Sequence, residues 1–123
     1  MNYKADEVKK LTNQVLLFEI AMNSENLGSR IEAVKLLTEQ DALTKVAKNT
    51  KENASIRLDA AVKIKDEMIT QNVFEEIAQN DNAGDGNRIR AAGLMKNKIL
   101  AKEIIYEVNG GSYDRPTQSW EYS

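Results

Sequence analysis

One residue pattern recurs three times in this chain and constrains its fold more than any other feature. An apolar residue is followed by Gln, a second apolar residue, Ile or Val, Ala and Asn, always at the same spacing. The copies are Leu11, Gln14, Leu17, Ile20, Ala21, Asn23; Leu37, Gln40, Leu43, Val46, Ala47, Asn49; and Met68, Gln71, Phe74, Ile77, Ala78, Asn80. A weaker fourth copy has Ile99, Ile105 and Val108, with Lys102 in place of Gln. A recurrence every 26 to 31 residues is typical of stacked helical hairpins.

A second motif, Arg followed three residues later by Ala, lies between successive copies. It occurs at Arg30, Arg57 and Arg88. Apolar residues at helical spacing surround both motifs, so we expect two alternating kinds of helix. We call the helices with the Gln pattern B helices and those with the Arg pattern A helices.

Polar residues ahead of each helix are candidate N-caps, because a side-chain oxygen there accepts a free backbone N–H. For the A helices the candidates are Ser29, Ser55 and Asn87. For the B helices they are Thr12, Thr38, Asp66 and Asn97. The positions of the last two predict third and fourth B helices about one turn longer than the first two.

These motifs resemble those of HEAT-like repeat proteins, which stack α-hairpins into an array. The resemblance implies an all-α fold, a right-handed αα-superhelix of about four hairpins covering residues 1–110. Stacking would align Ile20, Val46, Ile77 and Val108 in a shared core. Residues 111–123 read as an irregular tail. Its aromatic residues, Tyr113, Trp120 and Tyr122, either cap the last hairpin or bind a partner.

The composition argues against several classes of function. The chain has no Cys and no His, so it lacks thiolate chemistry, the usual general base at neutral pH and the commonest metal ligands. Its net charge of −2 lacks the basic excess of most nucleic-acid-binding proteins. We find no apolar run long enough to span a membrane and no secretory leader. We therefore expect a cytoplasmic protein that uses no cofactor or metal and has no membrane association.

Candidate catalytic and ligand sites have simpler interpretations. The three repeated Arg side chains could bind anions, but contacts to carbonyls or acids between repeats account for them better. The turn from Asp81 to Gly86 lacks two ligands of a helix–loop–helix calcium site. The pair Glu75 and Glu76 reads as a solvated face. The sequence therefore predicts a protein that is not an enzyme.

Exposed B-helix positions are the most credible functional surface, because HEAT-like arrays bind partners on the concave face that these helices form. The predicted partner-binding residues are Thr44, Lys45, Lys48, Glu75, Glu76, Gln79, Glu103 and Glu107. Charge along this surface changes from basic to acidic, so its acidic half should attract a basic peptide or protein segment. The expected protein is a scaffold module for a protein or peptide, as a monomer or weak homodimer.

Nucleic-acid binding is the alternative hypothesis. Basic residues concentrate in the last repeat, at Arg88, Arg90, Lys96, Lys98 and Lys102. The net charge argues against this alternative, which nonetheless stays open at the level of sequence.

Overall fold

The protein is described by a computed structural model that covers residues 3–111. Throughout this range the regular elements are helices, which confirms the all-α class. The eight α-helices are α1 (Ala5–Val8), α2 (Gln14–Asn23), α3 (Leu27–Leu36), α4 (Gln40–Lys48), α5 (Ala54–Ala61), α6 (Glu67–Ala78), α7 (Asp85–Leu94) and α8 (Lys98–Val108). A 3-10 turn covers Asp81–Ala83. The tail residues Tyr113, Trp120 and Tyr122 lie outside the described residues.

The described chain falls into two compact units. Unit 1 takes in the residues up to Val73 and unit 2 those from Phe74 on, so the boundary lies within α6. In unit 1, α2 packs against α3 and α4 against α5, while α3 also contacts α1 and α5, and α2 contacts α4. Unit 1 therefore has two layers, one of α1, α3 and α5 and one of α2 and α4. In unit 2, α7 packs against α8 and the 3-10 turn.

The A helices begin two or three residues earlier than the sequence indicated. The side chain of Asn26 caps α3 by accepting the Ser29 N–H at 2.9 Å, and that of Asn53 caps α5 by accepting the Ser55 N–H at 2.8 Å. The predicted caps Ser29 and Ser55 were therefore wrong, because an Asn nearer the turn takes the role. Asn87 was wrong as well, since it lies inside α7.

The N-cap of α7 is Gly84, whose φ of 93° suits glycine.

The predicted caps of the first two B helices were also wrong. The N-cap of α2 is Asn13, whose side chain accepts the Leu16 N–H at 3.1 Å, and not Thr12. The N-cap of α4 is Glu39, which makes no side-chain capping bond. The backbone N–H of Thr38 instead donates to a repeat Gln, as described below.

The predicted caps of the last two B helices are confirmed. Asp66 accepts the Met68 N–H at 3.0 Å at the start of α6, and Asn97 accepts the Leu100 N–H at 3.1 Å at the start of α8. These helices have 12 and 11 residues, against 10 for α2 and 9 for α4. The later B helices are therefore longer, as predicted, but by one to three residues and not by a full turn.

The repeated Gln connects each B helix of unit 1 to the turn one repeat further along. Gln14, the first residue of α2, donates to the carbonyl of Leu36 at 3.1 Å and accepts the Thr38 N–H at 2.8 Å. Gln40, the first residue of α4, donates to the carbonyl of Lys63 at 3.2 Å and accepts the backbone N–H of Lys65 at 2.8 Å. The side-chain amide of each Gln thus pairs with backbone groups at the end of an A helix that the helix itself leaves unpaired. These two Gln residues are therefore structural.

The predicted core positions are largely buried. Ile20, Val46 and Ile77 have almost no exposed surface, but Val108 is only partly buried. The buried residues of α8 are Ala101 and Ile104, and Ile104 follows the N-cap of its helix by seven residues, as Ile20 does in α2. The fourth copy is thus placed one helical turn too far along by the sequence pattern.

A partly buried amine supports the end of α3. The ammonium of Lys63 donates to the carbonyls of Val34 and Lys35, both at 2.8 Å, where the helix dipole favours a cation. Burial lowers the pKa of Lys63 from its usual 10.5, and the charge of Asp59 opposes part of that shift. The folded chain therefore releases this proton more readily than the unfolded chain does.

This shift predicts a pH dependence of stability. Just below pH 10.5 the unfolded state holds more protons at Lys63 than the folded state, so stability rises with pH in that window. We expect the difference in unfolding free energy between the native chain and Lys63→Met to grow in favour of the native chain toward that pH. Urea titrations of both proteins at pH steps from about 8.5 to 10.5 measure it. A difference that is constant or shrinks with pH would contradict the assignment.

Candidate partner-binding cleft

The repeated Arg side chains bind backbone carbonyls near the ends of B helices. The Nε of Arg57 donates to the carbonyl of Ala47 at 2.8 Å, and the Nε of Arg88 to that of Ala78 at 2.9 Å. Both side chains are buried. Because a helix carries partial negative charge at its C-terminus, a guanidinium is favourable there. These contacts favour the structural interpretation of the repeated Arg over anion binding.

The first Arg of the series makes a related but more exposed contact. Arg30 donates through Nη1 to the carbonyl of Ser24 at 2.9 Å and pairs through Nε with Glu52 at 2.9 Å. Its guanidinium is thus bound on both sides by groups of unit 1. It takes part in the turn that follows α2 and, like the other two, has a structural role.

Unit 2 contains a cleft of about 430 Å³. It lies beside α8, which supplies four of its residues, and beside the end of α6, the 3-10 turn and the start of α7. The lining residues are Gln79, Asp81, Arg88, Leu100, Glu103, Ile104 and Glu107. Four of them lie three or four positions apart on α8 and therefore share one face of that helix.

The charge of the cleft is mainly negative. Arg88 approaches Asp81 at 3.4 Å through Nη1 and Glu107 at 3.5 Å through Nη2. The side chains of these two acids are 89% and 64% exposed, so each pair is weak and leaves the carboxylate accessible. Glu103 is exposed as well. Three carboxylates therefore outnumber one guanidinium, which is itself bonded to the Ala78 carbonyl.

The cleft also offers apolar surface between the acids. Ile104 is buried and Leu100 is half-buried, and both lie on the same side of α8 as Glu103 and Glu107. An apolar surface next to carboxylates suits the long side chains of Lys and Arg, which have an aliphatic stem and a cationic head.

Three of the eight residues predicted to bind a partner line this cleft: Gln79, Glu103 and Glu107. Two others of the acidic set lie on α6 outside its lining, where Glu75 is half-buried and Glu76 is exposed.

The three residues predicted to form the basic half of the partner-binding surface lie on α4 in unit 1. Thr44 donates its hydroxyl to the carbonyl of Gln40 at 2.8 Å, within its own helix. The ammonium of Lys45 lies 5.7 Å from the centre of the Phe18 ring, a distance that permits a cation–π contact. Lys48 is exposed.

Four lining residues were not among the predicted site residues. Leu100 and Ile104 could have been found from the sequence, because they alternate with Glu103 and Glu107 at helical spacing on α8. The sequence interpretation placed Asp81 in a turn that lacks calcium ligands, and it weighed Arg88 for anion or nucleic-acid binding and for a structural role. Their part in the cleft depends on how the 3-10 turn and α7 pack, which the repeat pattern does not encode.

Neither a metal site nor a membrane-spanning helix occurs within residues 3–111. No group of three or more acidic side chains there is arranged to hold a metal ion. None of the helices in that range combines the length and apolar content needed to cross a membrane. Comparison of the chain with family models, with curated proteins and with solved structures gives no match.

Proposed function

We propose that this protein is a non-enzymatic, cytoplasmic scaffold module of the HEAT-like class, a right-handed αα-superhelix that binds a basic peptide or protein segment. The observation that carries the proposal is the cleft of unit 2, where three carboxylates surround an apolar surface. The repeated polar motifs support it indirectly. Several of their Gln and Arg side chains are bonded to backbone carbonyls and so act within the fold, whereas the exposed acids of the cleft are accessible to a partner.

The chemistry of the cleft favours Lys or Arg from the partner. The stem of such a side chain covers the half-buried Leu100, which removes apolar surface from water. The cationic head lies near Glu103 and Glu107, whose exposure means that little desolvation is needed. Charge complementarity of this kind raises the association rate and selects against acidic partners.

The proposal predicts that neutralising the acids of α8 weakens binding of a basic peptide. A fluorescein-labelled Lys-rich peptide of about ten residues is titrated against the native chain and the Glu103→Gln/Glu107→Gln variant, with anisotropy as the readout. We expect about a tenfold loss of affinity, equivalent to about 1.4 kcal/mol.

The matched control is Glu75→Gln/Glu76→Gln, which changes the net charge equally but lies outside the cleft lining. It should change the affinity less than about threefold. An equal loss of affinity in both variants would mean that net charge, and not the cleft, determines peptide binding. No binding of the basic peptide at low salt would refute the proposal.

Nucleic-acid binding through the basic residues of the last repeat has less support. Arg88 is buried and bonded to the carbonyl of Ala78, and Asp81 and Glu107 lie beside its guanidinium. Acids at that position repel phosphate. A labelled DNA duplex in the same anisotropy assay distinguishes the two, and steep salt-dependent DNA binding would favour the alternative.

A further inference from the structure

The turn between α7 and α8 exposes apolar and basic side chains together. Ile99 is 76% exposed and Leu94 is 38% exposed, and Lys96 and Lys98 between them are exposed as well. No acidic residue occurs from position 93 to 102. We call these four residues the turn patch. Large exposed apolar side chains with one sign of charge around them are typical of interaction surfaces.

The turn patch is held in a defined position. Met95, at its centre, is fully buried, and its backbone N–H donates to the carbonyl of Ala92 at 3.1 Å. Asn97 caps α8 through the Leu100 N–H. A segment whose backbone is already ordered loses less conformational entropy on binding than a flexible one, so contacts through the turn patch cost less ordering.

The chemistry of the turn patch is complementary to that of the cleft. The patch offers two ammonium groups and two apolar side chains, and the cleft offers Glu103, Glu107, Leu100 and Ile104. We propose that the partner of the cleft includes a second copy of this chain, whose turn patch enters the cleft of the first. This inference rests on the proposed function, since it assigns one occupant to the same cleft.

A single copy cannot make this contact with itself. α8 begins at Lys98 and continues unbroken to Val108, so one helix carries part of the turn patch at its start and the acids of the cleft along its length. Bringing Lys98 into the cleft of the same copy requires breaking α8. The contact is therefore between copies, and a dimer is its smallest product.

Sedimentation velocity over a concentration series tests this inference through charge reversal. We expect the Lys96→Glu/Lys98→Glu variant and the Glu103→Lys/Glu107→Lys variant each to weaken self-association at least about tenfold. An equimolar mixture of the two variants should restore association to within about threefold, because each altered patch then meets a complementary one. The Lys51→Glu/Lys65→Glu variant, altered at two exposed lysines of unit 1, should associate like the native chain.

Each outcome of the sedimentation experiment either supports or overturns the inference that two copies associate through the cleft. Self-association that responds to the single reversals and returns in the mixture supports the inference. A native chain that stays monomeric at every concentration overturns it, as does association that the reversals leave unchanged or that the mixture fails to restore. If the chain is monomeric but the basic peptide still binds, the inference fails and the proposed function stands. If the chain is monomeric and the basic peptide does not bind, the inference and the proposed function both fail.

Discussion

Replacing Leu58 by Ala is expected to lower the free energy of unfolding by about 2 to 5 kcal/mol. Leu58 lies in α5 and has no exposed surface, so the shorter side chain loses its burial and leaves a cavity that the packed helices refill only in part. Urea unfolding followed by far-UV circular dichroism measures the change.

The control for this substitution is Val62→Ala at the end of the same helix. Val62 is 48% exposed, and we expect its loss to cost less than about 1 kcal/mol. Equal effects at the two positions would mean that the core of unit 1 is not where the structure has it.

Replacing Arg57 by Met is expected to destabilise the fold by about 2 to 3 kcal/mol. The Met side chain retains most of the apolar stem, so the loss reports mainly the buried polar contact. Without the guanidinium, the carbonyl of Ala47 loses the hydrogen bond that it receives at 2.8 Å in a water-poor environment.

The matched control is Arg90→Met, the same substitution at an exposed position of α7. Exposed charges contribute little, and we expect a change of less than about 1 kcal/mol. Thermal or urea unfolding compares the two variants. If Arg57→Met unfolds like the native protein, the repeated Arg has no structural role and anion binding regains support.

The helical fold could be predicted from the sequence because burial repeats at helical spacing. Leu17 and Ile20 are buried in α2, as Leu43 and Val46 are in α4, and the spacing of those residues reports which face of the helix is covered. The degenerate fourth copy was placed one turn off because it lacks the Gln and the Ala-x-Asn that fix the register in the others.

Helix starts were harder to predict because several good capping residues stand close together. Asn26 directly precedes α3 and Ser29 is its third residue. As N-caps, Asn and Ser are nearly equally favourable. What decides between them is the backbone: Asn26 has an extended conformation with φ of −87° and ψ of 115°. Residue preference alone does not distinguish the two positions.

The candidate site was predictable in its charge and not in its shape. Glu103 and Glu107 were predicted from their positions on one face of α8. The cleft also requires Asp81 and Arg88, which come from the 3-10 turn and α7. Two glycines, Gly84 and Gly86, lie where those elements join, and the repeat spacing gives no information on how the chain packs there.

The most direct test of the central claim, that a partner binds in the cleft of unit 2, is a map of backbone amide shifts. The ¹⁵N-labelled protein is titrated with the Lys-rich peptide, and amide resonances are followed residue by residue. We predict that the largest shifts lie at Gln79, Glu103 and Glu107 and their neighbours in the cleft. Shifts centred on Thr44, Lys45 and Lys48 of α4, or no shifts at saturating peptide, would contradict it.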